Sequence, residues 1–441
     1  MYKVTSVLFL VFISLISISM LLNMGKYFYD HFNRRFSDNG KSHATALFDE
    51  NEQPQISLAS DKNETQYGLF NNLRNISYKI DTGINRIESV YNERFICKQN
   101  FINVHGLFQH ILCRKTVEDV DHEKMVIQDK YGRLHFPFAK MDIKPQTDKL
   151  IDFASFVEQN VSPFLYVQYP SKINPLEENL PIGISDYSNA TIGELIHSLK
   201  SNDISILDIR NEMLEAEMDW NSAFYRTDHH WTIETAFWAC SRIIEHLDKE
   251  FSLSLDSNSF FRNKDHYILR KCDFMFLGTQ GSRVGWYYAG SDDFYYYVPE
   301  FDTDFCVEIK HSPYEIEQLG YDEYEKTEGT FESAIMRKKF IENKYPTSIV
   351  RYNIYLGNNY PEVRITNRRN NNYHIFIIQD SYGMPVSPLL SLSAHQITVI
   401  DLRSFSGSLR KMLMETKPDL VIIAYNPSIF SDDRMFDKLA Q

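Results

Sequence analysis

Residues 374–426 read HIFIIQDSYGMPVSPLLSLSAHQITVIDLRSFSGSLRKMLMETKPDLVIIAYN. Three short apolar runs, His374 to Ile378, Ile397 to Ile400 and Leu420 to Ala424, alternate with stretches of helical pattern at about 382–392 and 405–416. A short run without polar alternation suits a strand buried on both faces. Strand, helix, strand, helix, strand at this spacing predicts an α/β fold, a parallel sheet with crossover helices. Phe164 to Val167 and Ile204 to Ile209 are further strand candidates. Ligands of such sheets bind beyond the carboxyl ends of the strands. The residues after Val167, Ile378, Ile400 and Ala424 are therefore the ones to inspect for chemistry.

After Ile378 come Gln379-Asp380-Ser381-Tyr382-Gly383. A buried strand ends, a serine stands in the turn, and a helical pattern begins. Such a junction exposes the serine hydroxyl near helix amides able to stabilise an oxyanion, although serine is also a common N-cap. A second block, Tyr225 to Thr232, reads YRTDHHWT. Thr232 is the expected N-cap of a helix with the apolar stripe Ile233, Phe237, Cys240, Ile244 and Leu247. On extended chain before that helix, Asp228 and His230 point one way and His229 the other. An Asp beside a His fixes the imidazole tautomer, leaving the second ring nitrogen to accept a proton from a serine. The positive helix end disfavours the imidazolium and keeps that base neutral. A metal reading of Asp228, His229 and His230 is weaker, because neighbours in extended chain diverge. Asn426, at the end of the run Leu420 to Ala424, is a candidate oxyanion donor or a simple turn former.

The 441-residue chain is acidic, with 46 Lys and Arg against 59 Asp and Glu, and has no basic tract. Nucleic acid is set aside, because phosphate binding needs clustered cations. The 27 Tyr and 31 Phe are read first as dense core, and second as stacking platforms for sugar rings. Cys97 with Cys113 and Cys272 with Cys306 are open to pairing in an oxidising compartment, or all five cysteines are free thiols. No Cys/His spacing reads as a zinc site, and neither a metal nor a cofactor is expected. Val4 to Met24 contains no charge and is long enough for one bilayer crossing. With no small-residue cleavage site after it, residues 1–25 are read as an uncleaved signal anchor in the cell membrane that leaves the bulk of the chain extracytoplasmic. Residues 26–99 are read as a polar stalk followed by a juxtamembrane helix over about 66–96, and residues 100–441 as the folded domain.

The YRTDHHWT block resembles the signature of the DHHW family, SGNH-hydrolase-like bacterial proteins related to the alginate O-acetylation proteins. Tyr355 to Pro361, Ile375 to Gly383, Ile400 to Arg403, Leu420 to Asn426 and Phe164 to Lys172 are similar to that family's blocks in order and spacing. The resemblance spans about residues 100 to 435. It implies a permuted SGNH three-layer α/β/α sandwich with a parallel sheet, here preceded by the N-terminal transmembrane helix. It further implies Ser381 as nucleophile, His230 as general base and Asp228 as its orienter. Asn426 and the Tyr382 N–H are the implied oxyanion donors, with Asn359 and Arg283 as further candidates. The usual Gly-Asp-Ser is Gln379-Asp380-Ser381 in this chain, and only Gly407 stands near the expected second-block glycine. The expected activity is a serine-dependent O-acetyltransferase or acetylesterase on a cell-surface polysaccharide, supplied by a multi-pass membrane acyl-transfer partner. A glycan-binding protein with a silent triad, and a metal-dependent hydrolase, are the competing expectations.

Overall fold

Alternate residues of a strand face opposite ways, and in the structure, a computed structural model, that alternation feeds two cores. Residues 98–119, 125–342, 350–370 and 372–441 are described. The expected signal anchor, stalk and juxtamembrane helix lie outside the described residues, as does Cys97. Among the described residues no helix is long and apolar enough to cross a membrane. Residues 102–441 make one compact unit.

Its strands are β1 (Thr116–Glu118), β2 (Met125–Gln128), β3 (Leu134–His135), β4 (Phe164–Gln168), β5 (Ile206–Asp208), β6 (Tyr267–Phe276), β7 (Asp292–Pro299), β8 (Phe305–Lys310), β9 (Tyr324–Gly329), β10 (Glu362–Asn367), β11 (His374–Gln379), β12 (Gln396–Ile400) and β13 (Leu420–Tyr425). The central sheet has the order β5-β4-β13-β11-β12-β10-β8-β9. From β5 to β12 all neighbours are parallel. β10, β8 and β9 extend the sheet antiparallel, which corrects the expectation of a purely parallel sheet. The reason lies in their sequences: β8 and β10 alternate fully buried with more exposed residues, the pattern of strands covered on one face. The small β1-β2-β3 sheet and the β6-β7 hairpin complete the unit.

Leu165, Val167, Ile375, Ile377, Ile422 and Ala424 enter a core shared with the helix Ile233–Glu250. Phe164, Tyr166, Phe376, Ile378, Val421 and Ile423 enter a second core with the helices Lys144–Asn160, Ser188–Ser201 and Leu409–Thr416. A sheet between two helical layers follows. Each such buried aliphatic or aromatic side chain contributes roughly 1.5–3 kcal/mol, so these strands anchor whatever stands at their ends. The Thr232 hydroxyl accepts the Thr235 N–H at 3.2 Å, and all five stripe residues of the following helix are buried. The expected helices at 382–392 and 405–416 shorten to Val386–Leu390 and Leu409–Thr416. Pro385 and Pro388 limit the first, and the Ser408 cap on the Lys411 N–H starts the second. Cys113, Cys240, Cys272 and Cys306 are free thiols, so the Cys272–Cys306 pairing does not form.

Candidate active site

Residues 226–230 do not run extended. Asp228 Oδ1 accepts the His230 N–H at 2.9 Å, the self-bonding by which Asp curls a loop two residues on. The bend brings His229 round to the same side, against the expectation that it diverges. Its ring lies 3.9 Å from that of His230, and its Nδ1 is 3.6 Å from Asp228 Oδ1. The loop is held from outside. Asp292 accepts the Arg226 and Thr227 N–H groups at 3.1 and 2.8 Å. The buried Lys172 ammonium donates to the carbonyls of Asp228, Leu134 and Arg226 at 2.7, 2.6 and 3.1 Å.

Ser381 opens a single turn, Ser381–Gly383, directly after β11. Asp380 ties that turn to the neighbouring strand end: Oδ1 accepts the Tyr382 N–H at 2.9 Å and Oδ2 accepts the Asn426 N–H, just past β13, at 2.7 Å. Gln379 stands where the resembled family has glycine. Its buried side chain accepts from the Ser387 hydroxyl and fills the space beneath Gly383, where a Cβ would lie 2.2 Å from its Oε1. The extra side chain therefore sits under the turn.

The two blocks, 151 residues apart, meet: His230 Nε2 lies 2.8 Å from Ser381 Oγ. On the other side of the ring, His230 Nδ1 lies 2.5 Å from Asp228 Oδ1. Asp228 Oδ2 accepts the Thr279 N–H at 2.5 Å. Tyr352 stacks on the His230 ring with centroids 4.1 Å apart. Trp231 Nε1 donates to the Tyr382 carbonyl at 3.1 Å, and the Tyr382 hydroxyl donates to the His229 carbonyl. Asp228 and His230 are buried, while Ser381 is partly open to solvent. Burial alone would raise the Asp228 carboxyl, but the His230 and His229 rings, the His230 hydrogen bond and the Thr279 N–H hold it well below the usual carboxylate range. Asp380 goes the other way: burial pushes it up to about 6, against the Asn426 N–H, Arg403 and the Tyr382 N–H.

The other anticipated residues are distributed differently. The Tyr382 N–H, expected as an oxyanion donor, donates instead to Asp380. The Asn426 amide stands beside the turn and donates to the Pro170 carbonyl at 2.6 Å, while its Oδ1 accepts the Ser428 N–H. Arg283 pairs with buried Asp119 and lies over the Phe136 ring, which in turn contacts His229. Asn359 is half-buried in the Gly357–Tyr360 loop, and no hydrogen bond described joins it to the triad. Lys172, Gly278, Asp292 and Tyr352 shape the site without having been singled out. Lys172 closes the quoted block Phe164 to Lys172, the one signal that pointed toward it. Asp228, His229 and His230 bring metal-binding atoms within 4.8 Å of one another. Ligands of one zinc ion, bonded at about 2.0–2.1 Å, stand roughly 3.3 Å apart. Asp228 Oδ1 and His229 Nδ1 suit that spacing, but His230 Nδ1, at 2.5 Å from the same oxygen, is at hydrogen-bond distance.

Residues 146–274 match a family model described as the SGNH hydrolase-like domain of the acetyltransferase AlgX. The match includes the Asp228–His230 block and ends before Ser381. A search of curated proteins found no match. Among solved structures, Bacillus cereus PatB1 superposes with a TM-score of 0.57 at 19% identity, over 71% of this chain and 99% of PatB1. PatB1 with a sulfonyl adduct gives 0.56 at the same identity and the same share of this chain, with 98% of PatB1 covered. A DHHW family protein from Eubacterium siraeum gives 0.53 at 17% identity, over 74% of this chain and 97% of the other. The resemblance read from the DHHW block thus holds: this chain carries a stretch similar to the AlgX SGNH hydrolase-like domain and has the fold of PatB1 and of a DHHW family protein.

Proposed function

We propose that this chain is an extracytoplasmic O-acetyltransferase or acetylesterase acting on a cell-surface polysaccharide. The observation that carries the reading is the unbroken chain from Asp228 through His230 to Ser381 at the carboxyl rim of the sheet. The AlgX-type acetyltransferase match over residues 146–274 supports the same reaction class. In the first half-reaction, Ser381 Oγ attacks the acyl carbon of a donor ester while His230 Nε2 takes the hydroxyl proton. Collapse of the tetrahedral oxyanion breaks the acyl–oxygen bond of the donor, and His230 returns the proton to the leaving alkoxide. In the second half, a sugar hydroxyl, or water in the esterase case, attacks the acyl-serine while His230 accepts its proton; collapse of this second oxyanion breaks the acyl–Oγ bond, and His230 returns the proton to Ser381 Oγ. Asp228 stays ionised throughout and holds the imidazolium. The second hydrogen of the Asn426 amide is the oxyanion donor this reading retains. Residues 1–25 would tether the chain to the membrane, with an acyl donor delivered by a multi-pass membrane partner.

The test is turnover of a chromogenic acetyl ester by the full chain and by Ser381→Ala, His230→Ala and Asp228→Asn. The first two should lose nearly all turnover, and the third roughly 10²- to 10⁴-fold. A sulfonyl fluoride should label the wild-type chain at Ser381 and fail on Ser381→Ala. Equal turnover in all four proteins sinks the enzyme reading. The engagement of Tyr382 N–H and Asn426 in structural hydrogen bonds favours one second reading, a glycan-binding protein with a silent triad, which predicts polymer binding without labelling.

A further inference from the structure

The carboxyl rim that carries Ser381 continues across the sheet to a second site. Ile378 of β11 pairs with Ile400 of β12, Ile400 with Glu362 of β10, and Glu362 with Lys310 of β8. His311, the next residue, therefore lies on the same rim as Ser381. Three strand spacings separate them, on the order of 14 Å. A cavity of about 560 Å³ opens there, lined by His311, Tyr321, Glu325, Arg337, Asn353 and Tyr360 among others. That volume is in the range that holds a small ligand. The short helix Arg351–Ile354 joins the two places: Tyr352 stacks on His230, and the next residue, Asn353, lines the cavity.

The chemistry of the lining is specific. His311 is 4% exposed and stands between two carboxylates, its Nδ1 3.6 Å from Glu315 and its Nε2 3.5 Å from Glu325. Both separations exceed a hydrogen bond, and Nδ1 has no hydrogen-bond partner among the described residues. On the open side of the ring, a ligand hydroxyl can donate to the exposed Glu325 carboxylate. Tyr321 and Tyr360 meet the His311 ring edge-on at 4.9 and 5.4 Å and supply flat apolar surface. Most of the charges already have protein partners: Arg337 pairs with Glu325, Lys338 with Glu332, Lys339 lies over the Phe340 ring, and Glu315 caps the helix Pro313–Leu319 through Ser312. Recognition is left to hydroxyl hydrogen bonds and ring faces, the needs of an uncharged sugar.

We propose that this cavity is a remote subsite for an uncharged sugar residue of the polymer acylated or deacylated at Ser381, a few rings along the chain. The inference rests on the acyl-transfer reading for its partner, and on the cavity alone for its ligand class. Isothermal titration of the full chain with cellohexaose and with chitohexaose, beside glucose and N-acetylglucosamine, tests it. Saturable binding of at least one hexamer is expected in the wild type and in Ser381→Ala. Tyr360→Ala and Tyr321→Ala should each weaken it roughly tenfold, while Tyr360→Phe, which keeps the ring, should bind near wild type and controls for folding. Hexamer binding unaltered by both alanine variants, or no saturable binding of either hexamer, overturns the subsite. Acetyl-ester turnover by the wild type reports separately on acyl transfer. Binding that depends on Tyr360 without turnover leaves the subsite standing and removes the enzyme.

Discussion

Replacing Gly278 by alanine should disable the site without altering any group that reacts. Gly278 sits at φ −73° and ψ −180°, a conformation open to every residue, so the backbone raises no objection. The objection is contact. An added Cβ would lie 2.2 Å from Asp228 Cβ, 2.6 Å from its Cα and 2.5 Å from Oδ2. Ordinary contact begins at 3.4 Å, so Asp228 must retreat by about an ångström. Its carbonyl is held by Lys172 and its two carboxylate oxygens by His230 and Thr279, so a retreat of that size breaks or stretches bonds now at 2.5–2.7 Å. Crowding of this kind costs about 1–3 kcal/mol of stability. A misplacement of about 1 Å in the orienting group lowers turnover by roughly 10²-fold. The comparison is Gly193→Ala, on the helix Ser188–Ser201, where a Cβ meets nothing within 4 Å. Acetyl-ester kcat, the rate of sulfonyl fluoride labelling and the thermal midpoint should be measured on both variants. Gly278→Ala that folds and turns over like Gly193→Ala would refute the dependence of His230 on a fixed Asp228.

Tyr352→Ala should lower acetyl-ester kcat by about tenfold through loss of the ring against His230, and Tyr352→Phe should restore it. Asp380 provides a pH signature. Its folded pKa, about 6, lies above its ordinary value of 3.8, so its contribution to stability is complete below 3.8 and is lost as pH rises through 6. The full loss is about 3 kcal/mol, of which roughly 2 kcal/mol falls between pH 4.5 and 7.5, and urea unfolding at those two pH values should show that difference flattened in Asp380→Asn. Asp228 has the opposite sign: its depressed pKa stabilises above 3.8 and stops doing so only in stronger acid, so Asp228→Asn should lose stability at neutral pH. Chelation with EDTA should leave turnover unchanged, whereas its abolition together with active Ser381→Ala would shift the reaction to a metal at Asp228, His229 and His230.

The inner strands of the parallel half were legible because they are apolar runs buried on both faces, as Phe164 to Val167 and Leu420 to Ala424 show. β8 and β10 were not, since a strand with one covered face alternates and blends with the polar segments around it. The Asp228–His230 pair forms, though on bent chain rather than the extended chain from which its spacing was read, and the convergence of His229 was not legible. It depends on the Asp228 side chain accepting the His230 N–H, two residues on, a choice between extended and bent chain that residue type alone leaves open. Lys172, Asp292 and Tyr352 act through tertiary approach, with no local pattern to announce them. Tyr382 shows the same limit. Its position in the serine block was clear, but Asp380 also sits in that block and takes its N–H.

The crossed hydrogen bonds between the Trp231 and Tyr382 blocks act as a clasp. It unites chain segments 151 residues distant, which pack together through β11 beside β13 and the helix Ile233–Glu250 over them, so its closure carries the cost of a long loop. Competence should therefore emerge at the end of refolding. A protein diluted from denaturant should regain its helical signal first and its capacity for covalent labelling later, the interval recording how long the two halves take to find each other.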